Sequence, residues 1–380
     1  MPFNSLIFIF LFLPLLVLFF KIFKNKKLII IIFSLTFYIY SSPLHLFLLI
    51  SSISWVFIFL KILKKNNYFK ILICSIYPLF LLFFFKYYNF IIISFFNLSK
   101  TQEFLLPIGI SFFTFQLISY VMDIYDKKTS LLNFKDLLIY ISFFPQIIAG
   151  PIVRINQVKN SIKRLDLYSF KPSQLRNALI LFLLGLSLKL IIADNLSNLN
   201  TPLINNYSEL NLSNLLFLTY SYSLQIYFDF FGYSICAIAL GKIFGFNLPQ
   251  NFRNPYVSIN PVEFWRRWHI TLSQWLKDYI YILLGGNKKY ARNIIIVFII
   301  CGIWHGAGGN FIIWGLYHAM LIIIYKYLKN KIIFPNIKFI KYFITFSLIS
   351  VGWLLFIFEI DELIKIFLYN GFFNNITFFD

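Results

Sequence analysis

Three of the four histidines in this chain fall between positions 269 and 318, in a region otherwise dominated by apolar and aromatic residues. His305 and His318 lie in the stretch CGIWHGAGGNFIIWGLYHA, residues 301–319, which is apolar enough to sit in a lipid bilayer. An ionisable group in such a setting is a functional-site candidate by default. An imidazole has an ordinary pKa near 6.5, so it can take and return a proton at neutral pH.

The spacing argues against a metal. Histidine ligands on a helix recur as in HExxH, with a carboxylate nearby, and no such pattern surrounds these three. Cys301 sits one helical turn before His305, so a Cys/His nucleophile pair competes with the reading of a small, inert buried thiol. On one continuous helix His305 and His318 would be about 20 Å apart along the axis and face different sides. The run Gly306, Ala307, Gly308, Gly309 predicts instead two helices joined by a tight turn, with His305 at the break.

A second polar island lies upstream. Trp265, Arg266, Arg267, Trp268, His269, Lys277 and Asp278 crowd into what the sequence predicts as one helix, bounded by Pro261 and by Gly285 and Gly286. Tryptophan and arginine at this density also suit a membrane interface, where aromatic belts and snorkelling cations settle. Neither habit calls for a histidine at 269. Asp229 stands deep in the apolar run YFDFFGYS, where a charge costs about 2.5–3.5 kcal/mol on insertion scales. Lys189 and Asp194 read as a snorkelling pair at a helix end, and Gln146, Gly150, Pro151 and Arg154 mark a polar patch in residues 142–154.

The elements that carry these residues must be transmembrane helices. The chain has 380 residues, 59% hydrophobic, with 50 Phe and a mean hydropathy of +0.77. No water-soluble core of this length hides so much apolar surface. Apolar runs near 5–20, 28–42, 44–60, 71–96, 105–122, 137–150, 178–193, 213–246, 293–304, 311–328 and 342–358 predict roughly ten or eleven transmembrane or re-entrant helices. Alternating strands of a β-barrel are absent from the pattern. The expectation is an all-α polytopic membrane protein, read as a single integral-membrane domain over residues 1–380. The first run lacks the flanks of a signal peptide and reads as a retained helix.

The formal net charge of +20 raises nucleic acid as a partner, but the basic residues cluster between apolar runs, where the positive-inside rule accounts for them. Lys21, Lys24, Lys26 and Lys27, then Lys61, Lys64, Lys65 and Lys70, then Lys127 and Lys128 mark inside loops. Residues 154–176 hold six basic residues and are inside again. The short run 137–150 between two inside loops therefore enters and returns. Residues 97–103 and 195–212 read as outside. The three cysteines suggest no disulfide framework.

Taken together, the blocks LPIGISFFTFQLISYVMDIY, FFPQIIAGPIVR, LFLLGLSLKLIIADNLS, YSLQIYFDFFGYS, NFRNPYVSINPVEFWRRWHITLSQWLKDYIYILLGG and IWHGAGGNFIIWGLYH resemble the membrane-bound O-acyltransferases, and among them the bacterial alginate O-acetylation branch. The resemblance implies a helical fold with a funnel from each side meeting at a buried histidine, here His305. It implies His269 as the second signature position and His318 as a further polar position of the branch; Trp304, Asp278, Arg266, Arg267, Asp229 and Gln146, read from the residues themselves, take supporting places. It implies transfer of an acetyl or other acyl group from a cytoplasmic thioester such as acetyl-CoA, with no bound cofactor or metal. The acceptor would be an exported polysaccharide or peptidoglycan, reached with a periplasmic SGNH-type partner at a bacterial inner membrane. Two departures stand out: Ile235 where the family commonly has Asp, and an end soon after Glu359, from which a closing C-terminal helix is expected to be missing. A transporter with broken helices and a non-catalytic scaffold of an export complex are the competing readings.

If the basic clusters set orientation, Lys65→Cys and Asn160→Cys, in a background lacking the native cysteines, will resist an impermeant thiol reagent in intact cells, and Asn206→Cys will react. Labelling of Asn160→Cys from outside would overturn the re-entrant reading of 137–150.

Overall fold

The computed structural model describes residues 1–65, 67–96, 106–148, 150–331 and 337–369. The outside loop expected at 97–103 and the last residues, 370–380, lie outside the described residues. Among the described residues there are helices and turns and no strand. In chain order the α-helices are α1 (Leu13–Ile22), α2 (Lys26–Ser41), α3 (Pro43–Ile62), α4 (Tyr68–Phe96), α5 (Ile110–Tyr125), α6 (Phe134–Ser142), α7 (Ile155–Lys163), α8 (Pro172–Ser187), α9 (Asp194–Asn205), α10 (Leu212–Ile243), α11 (Pro261–Arg267), α12 (Ile270–Leu276), α13 (Tyr290–His305), α14 (Gly309–Leu328), α15 (Lys338–Ile357) and α16 (Ile360–Tyr369). A helix thus does follow Glu359.

Among the described residues six helices are long and apolar enough to cross a membrane: Pro43–Ile62, Tyr68–Tyr88, Pro172–Asn205, Leu212–Ile243, Gly309–Leu328 and Lys338–Ile357. Several of the remaining apolar runs form shorter helices. Phe8–Ile22 and Ile110–Tyr125 are apolar but short, and α2 and α13 have 16 residues each, about 24 Å against the ~30 Å of a hydrocarbon core. The run 137–150 becomes the nine-residue α6 followed by a 3-10 turn at Phe144–Gln146. At about 14 Å, α6 is too short to cross.

The chain divides into two compact units, residues 1–186 with 232–250 and residues 187–231 with 251–380. In the first, aromatic side chains fill the centre. Phe144, from the turn after α6, meets Phe12 at 5.4 Å and Phe37 at 5.3 Å between ring centroids, and Phe8 stacks on Phe12 at 5.5 Å. Polar atoms there find partners within the unit: Tyr140 Oη donates to the backbone oxygen of Val153 at 2.9 Å, and Lys27 Nζ pairs with the Asp136 carboxylate at 2.7 Å.

The second unit carries the histidines, and its scaffold is the α13–α14 hairpin. The expected break is present: α13 ends at His305, and α14 starts at Gly309. The two helices approach closely because each presents a glycine to the backbone of the other. A Cβ on Gly302 would lie 2.1 Å from Phe311 O, and one on Gly315 would lie 2.3 Å from Phe298 O. Small residues at such crossings are how helices gain van der Waals contact in an apolar medium, where no hydrophobic force draws them together.

Gly302→Ala is therefore expected to destabilise the hairpin by about 1–3 kcal/mol through overpacking, while Gly309→Ala, whose Cβ would meet only Ile360 Cδ1 at 3.5 Å, leaves stability near wild type. Thermal midpoints in detergent, followed by size-exclusion of folded protein, compare the two.

Candidate active site

The sequence predicts one helix across Trp265–Asp278, and the structure corrects this. α11 ends at Arg267, Trp268 is extended, and His269 takes a left-handed conformation at φ 40°, ψ 54° before α12 begins. Histidine is one of the few non-glycine residues enriched in that region, though at a cost in strain. The break is held from outside the segment. Arg253 N–H donates to Arg267 O at 3.0 Å, and Ile270 N–H donates to Asn251 O at 2.8 Å. Thr271 Oγ1 donates to Asn251 Oδ1 at 2.6 Å. Residues 251–253 thus bracket His269 and take up the backbone groups that the interrupted helix releases.

Upstream of the break, α11 is capped in the usual way. Asn260 Oδ1 accepts from Glu263 N–H at 2.8 Å, and Pro261 occupies the first turn. Glu263 pairs with Arg267 at 2.5 Å across one turn. That pairing commits Arg267 to holding its helix, whereas Arg266 is exposed and lines a cavity.

The cavity has a volume of about 570 Å³. Both His269 and His305 line it, together with Trp265, Cys301, Lys277 and Tyr281 among others. Trp304 packs against both imidazoles, its ring centroid 6.0 Å from that of His269 and 4.7 Å from that of His305. His269 is 2% exposed, and neither of its ring nitrogens has a partner among the described residues. Burial lowers its pKa to about 3, because the charged form would lose its hydration without gaining a counter-charge. At neutral pH it is an uncharged ring with one N–H and one lone pair.

His318 is fully buried and is not among the residues lining the cavity. It sits among Trp265 and Trp314, both at 5.0 Å, and Trp353 at 6.0 Å. Trp314 also packs on His305 at 5.1 Å, so the hairpin brings to one indole two histidines that a straight helix would have kept apart. The absence of a side chain at Gly352 makes room for this ring: a Cβ there would lie 2.5 Å from His318 Nε2.

The other sequence-predicted residues separate. Asp229 lies in the second unit and meets Lys189 Nζ at 2.5 Å, while Lys189 also meets Asp194 at 2.6 Å. Lys189 lies well inside the continuous helix Pro172–Asn205, in a π-helical stretch at Leu188–Ala193, rather than at a helix end. Asp278 is on the π-helical turn Lys277–Tyr281 and is not among the cavity-lining residues; its neighbour Lys277 is. Gln146 belongs to the first unit, where its amide donates to Tyr140 O at 2.5 Å. Sequence reasoning missed Trp314, Phe230 and Gly352. Trp314 stood in the opening stretch itself, four residues before His318, but only the hairpin reveals what it touches.

Among the described residues no group of three or more His, Cys, Asp or Glu side chains is placed to hold a metal ion. The arrangement offers a mostly apolar chamber, two imidazoles from different chain breaks, and two cationic side chains on its wall.

Comparison with known proteins places the whole chain rather than its individual residues. Residues 9–360 match the profile of the membrane-bound O-acyltransferase family. The chain is 37% identical over 402 residues to the peptidoglycan O-acetyltransferase of Helicobacter pylori, covering 93% of this chain and 76% of that protein. It is 35% identical over 382 residues to the probable alginate O-acetylase AlgI of Pseudomonas syringae pv. tomato, covering 94% and 72%. The teichoic acid D-alanyltransferase of Bacillus subtilis is 32% identical over 238 residues, 59% of this chain and 60% of that one. With the family profile covering most of its length and its helices apolar and membrane-spanning, the chain is a multi-pass membrane acyltransferase and belongs to the membrane-bound O-acyltransferase family.

Proposed function

We propose that this protein transfers an acetyl group, or another small acyl group, from a cytoplasmic thioester such as acetyl-CoA to hydroxyls of an exported polysaccharide or cell-wall glycan at a bacterial inner membrane. The observation that carries this reading is that His269 and His305, delivered by two separate breaks in the chain, line one cavity, with Trp304 packed against both rings. The relatives named for peptidoglycan, alginate and teichoic acid support the acceptor class, since all three are polymers assembled or displayed outside the cytoplasm.

His305 is the proposed general base. Its imidazole takes the proton of the acceptor hydroxyl as the oxygen attacks the acyl carbon; the new C–O bond forms, the C–S bond breaks, and the proton passes to the departing sulfur. His269, neutral and with no other hydrogen bond, donates its N–H to the oxyanion that develops on the acyl oxygen, a contact worth most in a dry site. Arg266 and Lys277 on the cavity wall suit the phosphates of a thioester carrier. His318 supports His305 through Trp314. A periplasmic SGNH-type partner completes delivery to the polymer.

In membranes with matched protein amounts, labelled acetyl-CoA and the native acceptor, His305→Ala is expected to lower transfer about 10²- to 10⁴-fold, and His305→Gln to remain as inactive, since an amide cannot accept the proton. His269→Asn retains partial activity if its role is donation, and His318→Ala costs less than His305→Ala. Wild-type rates in His305→Ala would overturn His305 as the general base.

The partner is tested separately. Purified protein alone is expected to release or hold the acyl group without modifying the polymer, and addition of a periplasmic extract restores modification. Full modification by the purified chain would count against a partner.

A further inference from the structure

His269 is oriented in an uncommon way for a side chain assigned to a reacting oxygen. A working histidine is ordinarily aimed by a hydrogen bond from its second nitrogen to a carboxylate or carbonyl. Among the described residues neither nitrogen of His269 has one, so packing must set the plane of its ring. Phe230 presents the closer aromatic contact, with centroids 4.7 Å apart and planes at 85°, against 6.0 Å for Trp304. Phe230 is itself braced edge-on by Phe252 at 5.0 Å, and Phe252 packs on Trp268, the residue before His269, at 5.0 Å.

What holds Phe230 is the rotation of α10 about its own axis. Earlier on α10, Gln225 Oε1 accepts from Asn200 Nδ2 at 2.7 Å and Ser221 Oγ donates to Asn200 Oδ1 at 2.6 Å. Asp229, the residue next to Phe230, adds the contact nearest the ring, to Lys189, which also meets the Asp194 carboxylate. The pair gives α10 a directional contact beside the ring, and a π-helical stretch such as the one that carries Lys189 is a frequent feature of functional sites.

We propose that Phe230 is the positioning residue for His269, and that the Lys189–Asp229 ion pair is its anchor, fixing the turn of α10 that presents the ring. The proposal rests on the assignment of His269 to the reacting oxygen. It predicts that disturbing Phe230 or its anchor lowers the chemical rate through His269 and leaves donor binding alone, because a ring tilted away from the oxyanion loses a contact made in the transition state.

The test is a double-mutant cycle on the full chain in membranes, with rates normalised to folded protein. Phe230→Leu and Asp229→Asn are each expected to lower kcat about 10-fold with the KM for acetyl-CoA within about twofold of wild type. In a His269→Ala background neither change lowers the rate further. Asp229→Glu, which keeps the negative charge opposite Lys189, retains most of the rate that Asp229→Asn loses. If the losses multiply in the double variants, or Phe230→Leu turns over at the wild-type rate while His269→Ala does not, the positioning role is wrong and the assignment of His269 stands. A wild-type rate in His269→Ala overturns that assignment and the positioning role with it.

Discussion

Backbone that leaves the helical conformation in an apolar surrounding must find its hydrogen bonds within the protein. At His269 that demand is met by chain brought from elsewhere, and at the turn after His305 by the turn itself. At 269 the released groups go to Asn251 and Arg253. At the turn after His305, Phe311 N–H donates to Gly308 O at 3.2 Å, and the side chain of Asn310 donates to Leu355 O at 3.2 Å, tying the turn to α15. Each break is a fixed point, because moving it would strand polar groups at several kcal/mol apiece. The positions of the imidazoles follow from these fixed points, and the helices between them are spacers.

Around the fixed points the orienting material is aromatic. Trp265, Trp304, Trp314 and Trp353 surround the three rings with edge-to-face or tilted contacts between 4.7 and 6.0 Å. Each such pair contributes roughly 0.5–1.5 kcal/mol beyond its area, and the set resists tilting without adding a charge to the site. Close packing also explains the glycines. Gly302 and Gly315 set the separation of α13 and α14, and Gly352 leaves the space that His318 occupies; a methyl group at any of them would move a histidine or its support.

Much of the fold was legible in the sequence, because hydropathy reports directly on the solvent of a helix. The break at His305 was legible too, since three glycines in four residues rarely continue a helix. The break at His269 was not. Between Pro261 and Gly285 no residue forbids a helix, and the interruption comes from residues 251–253, a tertiary cause that local propensity cannot carry. For the same reason the meeting of His305 and His318 on Trp314 was invisible to spacing arguments, which treat a helix as straight. Lys189 was misread as an end-of-helix charge because the apolar run around it was taken to stop at 193, whereas the helix continues through a π-helical stretch to Asn205.

The three histidines occupy different environments, and on the proposed reading that difference divides the work. His269 is buried and uncharged, His305 lines the cavity with part of its surface exposed, and His318 is enclosed away from it. Among the described residues that line the cavity there is no Asp or Glu, and the charged side chains are Arg266 and Lys277. Hydrolytic triads set a carboxylate behind the histidine to stabilise the imidazolium that persists between steps. Moving an acyl group from a thioester to an alcohol neither consumes nor releases a net proton, and the one taken from the hydroxyl is accepted by the sulfur that leaves. An imidazolium formed in such an exchange need last only until the sulfur leaves.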